Sequence, residues 1–199
     1  MDLKEEYSKR KEEIIERLNY FKKLKEKDLF YELCFCLLTP QSKAKNADDC
    51  IKEMIKNNFF ETGFDPTLVL KQKIRFHNHK GKYLLEMREK YPELKNELEK
   101  IKDNKEKREF LVENVKGLGL KEAAHYLRNT GHENLAILDR HILKNLVKVN
   151  AIDELPKTLT KKKYFEIEDK FKEFSRKVRI PMDHLDLLFW SMETGEVFK

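Results

Sequence analysis

Apolar residues recur at helical spacing along most of the chain, and no stretch alternates apolar and polar residues as a β-strand would. Residues 2–27 show this spacing among lysines and glutamates, and Leu29–Leu38 is apolar almost all round, which predicts a central core helix. The same patterns predict further helices at 43–56, after Asp65-Pro66, at 78–91, 93–103, 105–115, 140–150 and 164–178, and from Pro181 onward. The sequence therefore predicts an all-α fold.

Several polar residues and one proline mark the predicted helix ends. We expect Asp28, Ser42, Asn104 and Asp139 to cap the helices that follow them, because side chains of this kind accept hydrogen bonds from first-turn N–H groups. Pro92 is expected to end the helix at 78–91, because proline lacks an N–H and restricts the residue before it.

A turn containing two glycines, Gly117-Leu118-Gly119, separates two predicted helices, and the second helix carries Lys121 in its first turn. This arrangement predicts a helix-hairpin-helix at about residues 105–130. Both glycines are expected to adopt backbone conformations closed to other residues, and the following helix start to present unpaired N–H groups. Because nothing in the turn reads a base, the expected partner is nucleic-acid backbone. A helix end followed by an ordinary packed turn is the alternative.

Composition agrees with a polyanionic partner without requiring one. Lys and Arg number 42 against 36 Asp and Glu, which gives a net charge of +6 and a pI near 9.0. The same richness in lysine and glutamate also suits the surface charge network of a thermophile.

Other features argue against membrane, metal and disulfide chemistry. Residues 1–28 are charged throughout and no apolar run is long enough to span a membrane, so we expect an intracellular protein. The three cysteines, Cys34, Cys36 and Cys50, are expected to be buried free thiols, too few to ligate an iron–sulfur cluster. His77 and His79 have no cysteine or carboxylate at ligand spacing, so no metal is expected.

The segment 74–83 has the composition of a nucleic-acid contact. Five of its ten residues are His, Lys or Arg, and they are interleaved with Phe76 and Tyr83. Basic and aromatic side chains together contact phosphates and stack on bases.

Lys121 and Asp139 carry a family resemblance. Lys121 stands two residues after Gly119, and Asp139 follows eighteen residues later at the end of an apolar run. In this order and spacing they resemble the helix-hairpin-helix DNA glycosylase superfamily, in which the lysine is the nucleophile and the aspartate the assisting carboxylate. The segments ELCFCLLT, FLVENVKGLGLKEAAHYLRNTG, AILDRHIL, LDLLFW and TGEVFK together resemble the small archaeal-type 8-oxoguanine DNA glycosylase/AP lyases, from about residue 28 to the C-terminus.

This resemblance implies a single two-lobed catalytic unit over residues 1–199 that flips a damaged nucleotide out of double-stranded DNA containing oxidised guanine. Lys121 would displace the base at the sugar C1′, form a Schiff base and allow β-elimination, while Asp139 stabilises the developing positive charge. The enzyme is expected to act as a monomer and to need no cofactor, with a monovalent cation at the hairpin left open. A glycosylase for another oxidised base and a non-catalytic helix-hairpin-helix module are the alternatives.

The resemblance also implies roles for four further residues. Gln41 matches the polar side chain that fills the hole left by the extruded base, although an ordinary polar turn is the alternative. Phe76 and Trp190 would stack on the flipped purine, or could be plain core aromatics. Lys199 would bring its carboxylate or a nearby tail carbonyl to the base pocket, where an acceptor opposite N7 selects 8-oxoguanine over guanine.

Overall fold

The computed structural model describes residues 3–199, and all regular secondary structure in this range is helical. This confirms the predicted all-α fold. The helices in chain order are α1 (Leu3–Phe21), α2 (Lys27–Leu38), α3 (Ala44–Lys56), α4 (Phe59–Thr62), α5 (Thr67–Leu70), α6 (His77–Lys100), α7 (Asn104–Asn114), α8 (Leu120–Arg128), α9 (Arg140–Lys148), α10 (Lys161–Val178) and α11 (Met182–Thr194).

The chain divides into two compact units, and the division falls inside α8. The first unit joins the N-terminal residues up to Lys23 to Leu127–Lys199. Here α11 is the central helix, because it packs against α1, α9 and α10. Most of its apolar residues are buried, and the rings of Phe171 and Phe189 stack with centroids 6.2 Å apart.

The second unit, Leu24–Tyr126, is built around α2. This helix packs against α3 and α6, and every residue from Phe30 to Leu38 is buried, as the nearly all-round apolar pattern predicts. Phe30 lies at the centre of an aromatic cluster with Phe59, Phe60 and Tyr91, whose ring centroids are 4.8 to 6.1 Å from its own.

The three cysteines are buried free thiols, as predicted. Cys34 is buried within α2, and burial holds its pKa well above the usual range for a thiol. Burial also raises the pKa of Cys50, whose Sγ lies 3.5 Å from the carbonyl oxygen of Val69.

The prediction that Pro92 ends a helix is wrong. The helices expected at 78–91 and 93–103 are one helix, α6, with Pro92 inside it. Proline removes one backbone hydrogen bond here. However, Tyr91, Leu94 and Leu98 are buried along the same helix, and the packing of this continuous apolar face outweighs the loss of one bond.

Three of the four predicted helix caps are wrong. Asp28 lies inside the first turn of α2, and the residue before α3 is Lys43 rather than Ser42. At α7 the cap is Asp103, whose Oδ1 accepts hydrogen bonds from the N–H groups of Lys105 and Glu106. Asp103 stands one residue before Asn104 and adds a negative charge at the positive end of the helix, which favours it over the neutral amide.

Several helix boundaries also differ from the predictions. The first helix ends at Phe21 rather than residue 27, and its predicted start at residue 2 lies outside the described residues. The helix α10 begins at Lys161 because the Thr160 hydroxyl accepts a hydrogen bond from the N–H of Lys163. The four-residue α4 was not predicted. Within residues 3–199, no helix is both long enough and apolar enough to cross a membrane.

Candidate active site

The turn between α7 and α8 depends on Gly117. Its φ of +85° lies in the left-handed region that favours glycine, as expected from the sequence. A Cβ at this position would stand 2.7 Å from Cδ2 of Tyr83. The turn is closed by a hydrogen bond of 3.2 Å from the N–H of Leu118 to the carbonyl of Val115. Any other residue at 117 would therefore strain the backbone and displace Tyr83.

For Gly119 the prediction of a backbone conformation closed to other residues is wrong, because this residue is not among the glycines with positive φ. Gly119 instead precedes the first residue of α8, and its N–H donates to Oε2 of Glu122 at 3.2 Å. A Cβ on Gly119 would stand 3.0 Å from that oxygen. The missing side chain thus leaves room for Glu122 to cap its own helix, as in a capping box. The N–H of Gly119 is consequently occupied rather than open to a phosphate.

Lys121 lies in the first turn of α8 with about a quarter of its side chain exposed (25%). Its Nζ lies 3.0 Å from Oε1 of Glu122, the other oxygen of the capping carboxylate. The Glu122 carboxylate therefore contacts both the Lys121 amine and the N–H of Gly119 in the glycine turn. An amine attacks carbon only after losing its proton, and Glu122 is within reach to accept that proton.

Lys80 is a buried lysine in the first turn of α6, with only 6% of the residue exposed. Its Nζ donates to the carbonyls of Leu38 at 2.8 Å and Pro40 at 2.6 Å, and to Oγ of Ser42 at 3.3 Å. Burial lowers the pKa of Lys80 to about 8; the negative charge of Glu122 opposes this shift and the positive charge of Lys121 adds to it. The sequence placed Lys80 only in a basic segment, and its burial was not predicted.

Gln41 is exposed at the tip of a tight turn. The N–H of Ser42 donates to the carbonyl of Thr39 at 3.0 Å, which places Pro40 and Gln41 at the two central positions. Gln41 has a φ of +54°, an uncommon conformation for a residue with a side chain. Strain of this kind persists only where the surroundings hold the backbone.

Phe76 is 54% exposed, so the alternative of a plain core aromatic is wrong for this residue. It directly precedes α6 and has a φ of +57°. The guanidinium carbon of Arg75 lies 5.6 Å from the centre of its ring. An exposed aromatic ring flanked by a cation has the chemical character of a surface on which a base can stack.

Asp139 caps α9, as predicted. Its Oδ1 accepts hydrogen bonds of 2.8 Å from the N–H groups of both His141 and Ile142. Within residues 3–199, Oδ2 of this half-buried carboxylate has no hydrogen-bond partner. One oxygen therefore holds the helix while the other is available to a ligand.

The segment before Asp139 is fixed by buried polar contacts. The four residues 135–138 are buried, and the N–H of Ala136 donates to Oε1 of Glu168 at 2.8 Å. The hydroxyl of Tyr164 donates to the carbonyl of the same alanine. Both anchors come from α10, so the position of Asp139 is set on both sides, by this segment and by the start of α9.

His141 links Asp139 to Trp190. Its N–H bonds to Asp139, and its ring meets the Trp190 ring edge to face, with centroids 5.2 Å apart and planes at 86°. Trp190 is half-buried in α11, and its buried Nε1 has no hydrogen-bond partner within residues 3–199. An indole N–H left without a partner is costly, so this atom is available to donate to a ligand. His141 was not singled out by the sequence.

The C-terminal segment turns at Gly195, whose φ is +88°. Beyond this turn Val197 is buried, while Lys199 is half-buried with its Nζ 5.9 Å from the centre of the Phe198 ring. The segment belongs to the same unit as Trp190.

Residues 10–180 match the sequence profile of a family described as 8-oxoguanine DNA glycosylase. The chain is also 49% identical to the 8-oxoguanine DNA glycosylase/AP lyase of Fusobacterium nucleatum, over 92% of this chain and 90% of that relative. The chain belongs to the 8-oxoguanine DNA glycosylase family. Solved members of this family share its fold. The 8-oxoguanine glycosylase/lyase of Methanocaldococcus jannaschii, in complex with a 15mer DNA containing 8-oxoguanine, superposes with a TM-score of 0.89 at 36% identity over 100% of both chains.

The 8-oxoguanine DNA glycosylase of Thermotoga maritima superposes with a TM-score of 0.86 at 34% identity, over 100% of this chain and 97% of that one. Similarity to the 8-oxoguanine DNA glycosylase family therefore extends to the N-terminal helix, beyond the start near residue 28 expected from the sequence.

Proposed function

We propose that this protein excises 8-oxoguanine from double-stranded DNA and then cleaves the strand 3′ of the abasic site by β-elimination, with Lys121 as nucleophile and Asp139 as assisting carboxylate. Family membership supports the reaction, as does the M. jannaschii relative in complex with DNA containing 8-oxoguanine. The observation that carries the proposal is the partly exposed Lys121 amine, which lies directly behind the glycine turn beside the carboxylate of Glu122.

In this reaction the neutral Nζ of Lys121 attacks C1′ of the damaged nucleotide. A carbon–nitrogen bond forms while the bond from C1′ to the base breaks, and the base leaves with that electron pair and takes up a proton. The sugar ring then opens to an imine, which acidifies the C2′ proton, and its removal breaks the C3′–O bond. Glu122 is positioned to accept the first amine proton. Asp139, with Oδ2 available, would stabilise the positive charge that develops on the sugar.

An amine nucleophile needs no metal or organic cofactor, so we expect full activity in the presence of EDTA. We also propose that the protein acts as a monomer, which light scattering with and without DNA tests.

Trapping with borohydride tests the nucleophile, because only an imine between protein and sugar is reduced to a stable covalent complex. The wild-type protein should be trapped on a duplex containing 8-oxoguanine, and Lys121→Gln should not be trapped while still binding DNA. Lys116→Gln is the matched control, since Lys116 is an exposed lysine in the same hairpin, paired with Glu86. If Lys121→Gln gave as much trapped covalent complex as wild type, Lys121 would not be the nucleophile.

A wild-type protein that binds DNA but gives neither trapping nor base release would instead be a non-catalytic helix-hairpin-helix module. Release of an oxidised pyrimidine in place of 8-oxoguanine would show that the protein is a glycosylase for another oxidised base.

A further inference from the structure

Lys80 is unusual because a buried ammonium is costly unless each of its protons is bonded. Lys80 has three such protons, and the structure supplies three acceptors: the carbonyls of Leu38 and Pro40 and the hydroxyl of Ser42. All three acceptors come from the last residue of α2 and the turn that follows it. The lysine therefore acts on one short segment, the segment that carries Gln41.

The contacts of Lys80 explain how the strained turn is held. Leu38 ends α2, so its carbonyl lacks a partner within the helix, and a cation at this end also interacts favourably with the helix dipole. The carbonyl of Pro40 directly precedes Gln41. With acceptors fixed at 38, 40 and 42, the backbone on both sides of Gln41 is held, which allows its φ of +54° to persist.

The same network reaches the residue before Phe76. Oγ of Ser42 accepts a second hydrogen bond, of 3.2 Å, from the N–H of Arg75. The N–H of Lys80 itself donates to the carbonyl of Phe76 at 3.0 Å. The turn with Gln41 and the exposed ring of Phe76 are thus tied to one another through Lys80 and Ser42.

We propose that Lys80 is a positioning residue for nucleotide extrusion: its buried ammonium fixes the Pro40-Gln41 turn to the start of α6, so that Gln41 and Phe76 reach the DNA in one relative geometry. This inference rests on the proposed function. It assigns Lys80 no contact with the reacting atoms. Its loss should therefore weaken extrusion of a stacked base more than the chemistry at a site that has no base.

Lys80→Met tests this proposal, because methionine keeps most of the buried stem and removes the ammonium. Lys90→Met is the matched control, since it makes the same charge change on an exposed lysine of the same helix. The readouts are single-turnover excision of 8-oxoguanine, cleavage at a preformed abasic site, and the fluorescence of a 2-aminopurine placed next to the lesion, which rises when the base leaves the stack.

We expect Lys80→Met to slow excision by roughly tenfold to a hundredfold, the effect of losing support for one strained residue. It should also suppress the fluorescence rise and change abasic-site cleavage by less than about threefold. Lys90→Met should behave as wild type. Adding Gln41→Ala to Lys80→Met should produce little further loss, because both changes act through the same turn.

Equal losses on the lesion and on the abasic site, or independent losses from Lys80→Met and Gln41→Ala, would overturn the proposal. If Lys80→Met fails to fold by circular dichroism, Ser42→Ala replaces it, since this change breaks the link to Arg75 and keeps the ammonium. Ser42→Ala should show the same selective loss, and equal loss on both substrates would again overturn the proposal. A wild-type protein that releases no 8-oxoguanine would refute the proposed function instead. The wild-type reaction alone gives this result, so it is distinguished from a failure of the proposal for Lys80.

Discussion

Asp139→Asn and Asp139→Ala together separate the helix-capping role of the Asp139 carboxylate from the catalytic role that we propose for it. Oδ1 caps α9 by accepting two hydrogen bonds of 2.8 Å, and we propose that Oδ2 acts in the reaction. Asparagine caps a helix about as well as aspartate, so Asp139→Asn keeps both hydrogen bonds and removes only the charge. Alanine removes the cap and the charge together.

The expected losses of stability differ accordingly. Asp139→Asn loses the interaction of the charge with the helix dipole, about 0.3–1 kcal/mol. Asp139→Ala also loses the cap, for a further loss of about 1 kcal/mol. In a chain of this length, each 1 kcal/mol lowers the melting temperature by roughly 2–4 °C. Thermal unfolding followed by circular dichroism should therefore rank wild type above Asp139→Asn and Asp139→Ala lowest.

The rates of base release should follow a different order. If the charge of Asp139 stabilises the transition state, both variants lose on the order of 2–4 kcal/mol, a slowing of about 30-fold to 1,000-fold. Single-turnover release of 8-oxoguanine with excess enzyme measures this step without product release. Asp139→Asn acting at the wild-type rate would show that Asp139 is only a helix cap. A rate loss confined to Asp139→Ala would assign the effect to the cap.

Three further predictions concern the glycine turn, the DNA contact and the buried lysine. Gly117→Ala should destabilise the protein by about 1–2 kcal/mol or more, because the φ at this position is +85° and the new Cβ would meet Tyr83. The Cβ of Gly119→Ala would meet only the movable carboxylate of Glu122, so this variant should lose less stability. Chemical denaturation measures the free energy of unfolding of both variants. DNA affinity should fall at least about tenfold between about 50 mM and 200 mM salt, measured by fluorescence anisotropy, and a flat response would argue against contacts with the DNA backbone. The pKa of Lys80 is about 8 in the folded protein, against 10.5 for an ordinary lysine. Between these two pH values the unfolded chain binds more protons than the folded protein, so the free energy of unfolding increases with pH. For wild type relative to Lys80→Met, this free energy should rise by up to about 3 kcal/mol from pH 8 to 10.5. A stability difference that stays constant over this window would contradict the lowered pKa of Lys80.

Some features set by neighbouring residues could be predicted from the sequence, although three of the four helix caps could not. The cap at Asp139 follows from a polar residue at the end of an apolar run, and the burial of α2 follows from its composition. The left-handed Gly117 could also be found, because a helix must reverse there within a few residues. In each case the cause lies within one or two helical turns of the residue.

Features set by distant residues could not be predicted. Lys80 stands in a basic segment that indicates a surface, and its three acceptors lie about forty residues earlier in the chain. The helix through Pro92 depends on the burial of residues on both sides of the proline, which no local signal reveals. The capping role of Glu122 was not predicted, although the sequence carries a local signal for it. Glu122 stands three residues after Gly119, which is the spacing of a capping box.

The buried cysteines have a consequence for a repair enzyme whose substrate arises by oxidation. Oxidants and alkylating agents react with the thiolate, and reaction also requires access. Burial keeps Cys34 and Cys50 protonated and out of reach. Peroxide that damages guanine in DNA should therefore leave these sulfurs intact in the folded protein, so that the conditions that create the substrate do not oxidise the cysteines of the enzyme that removes it.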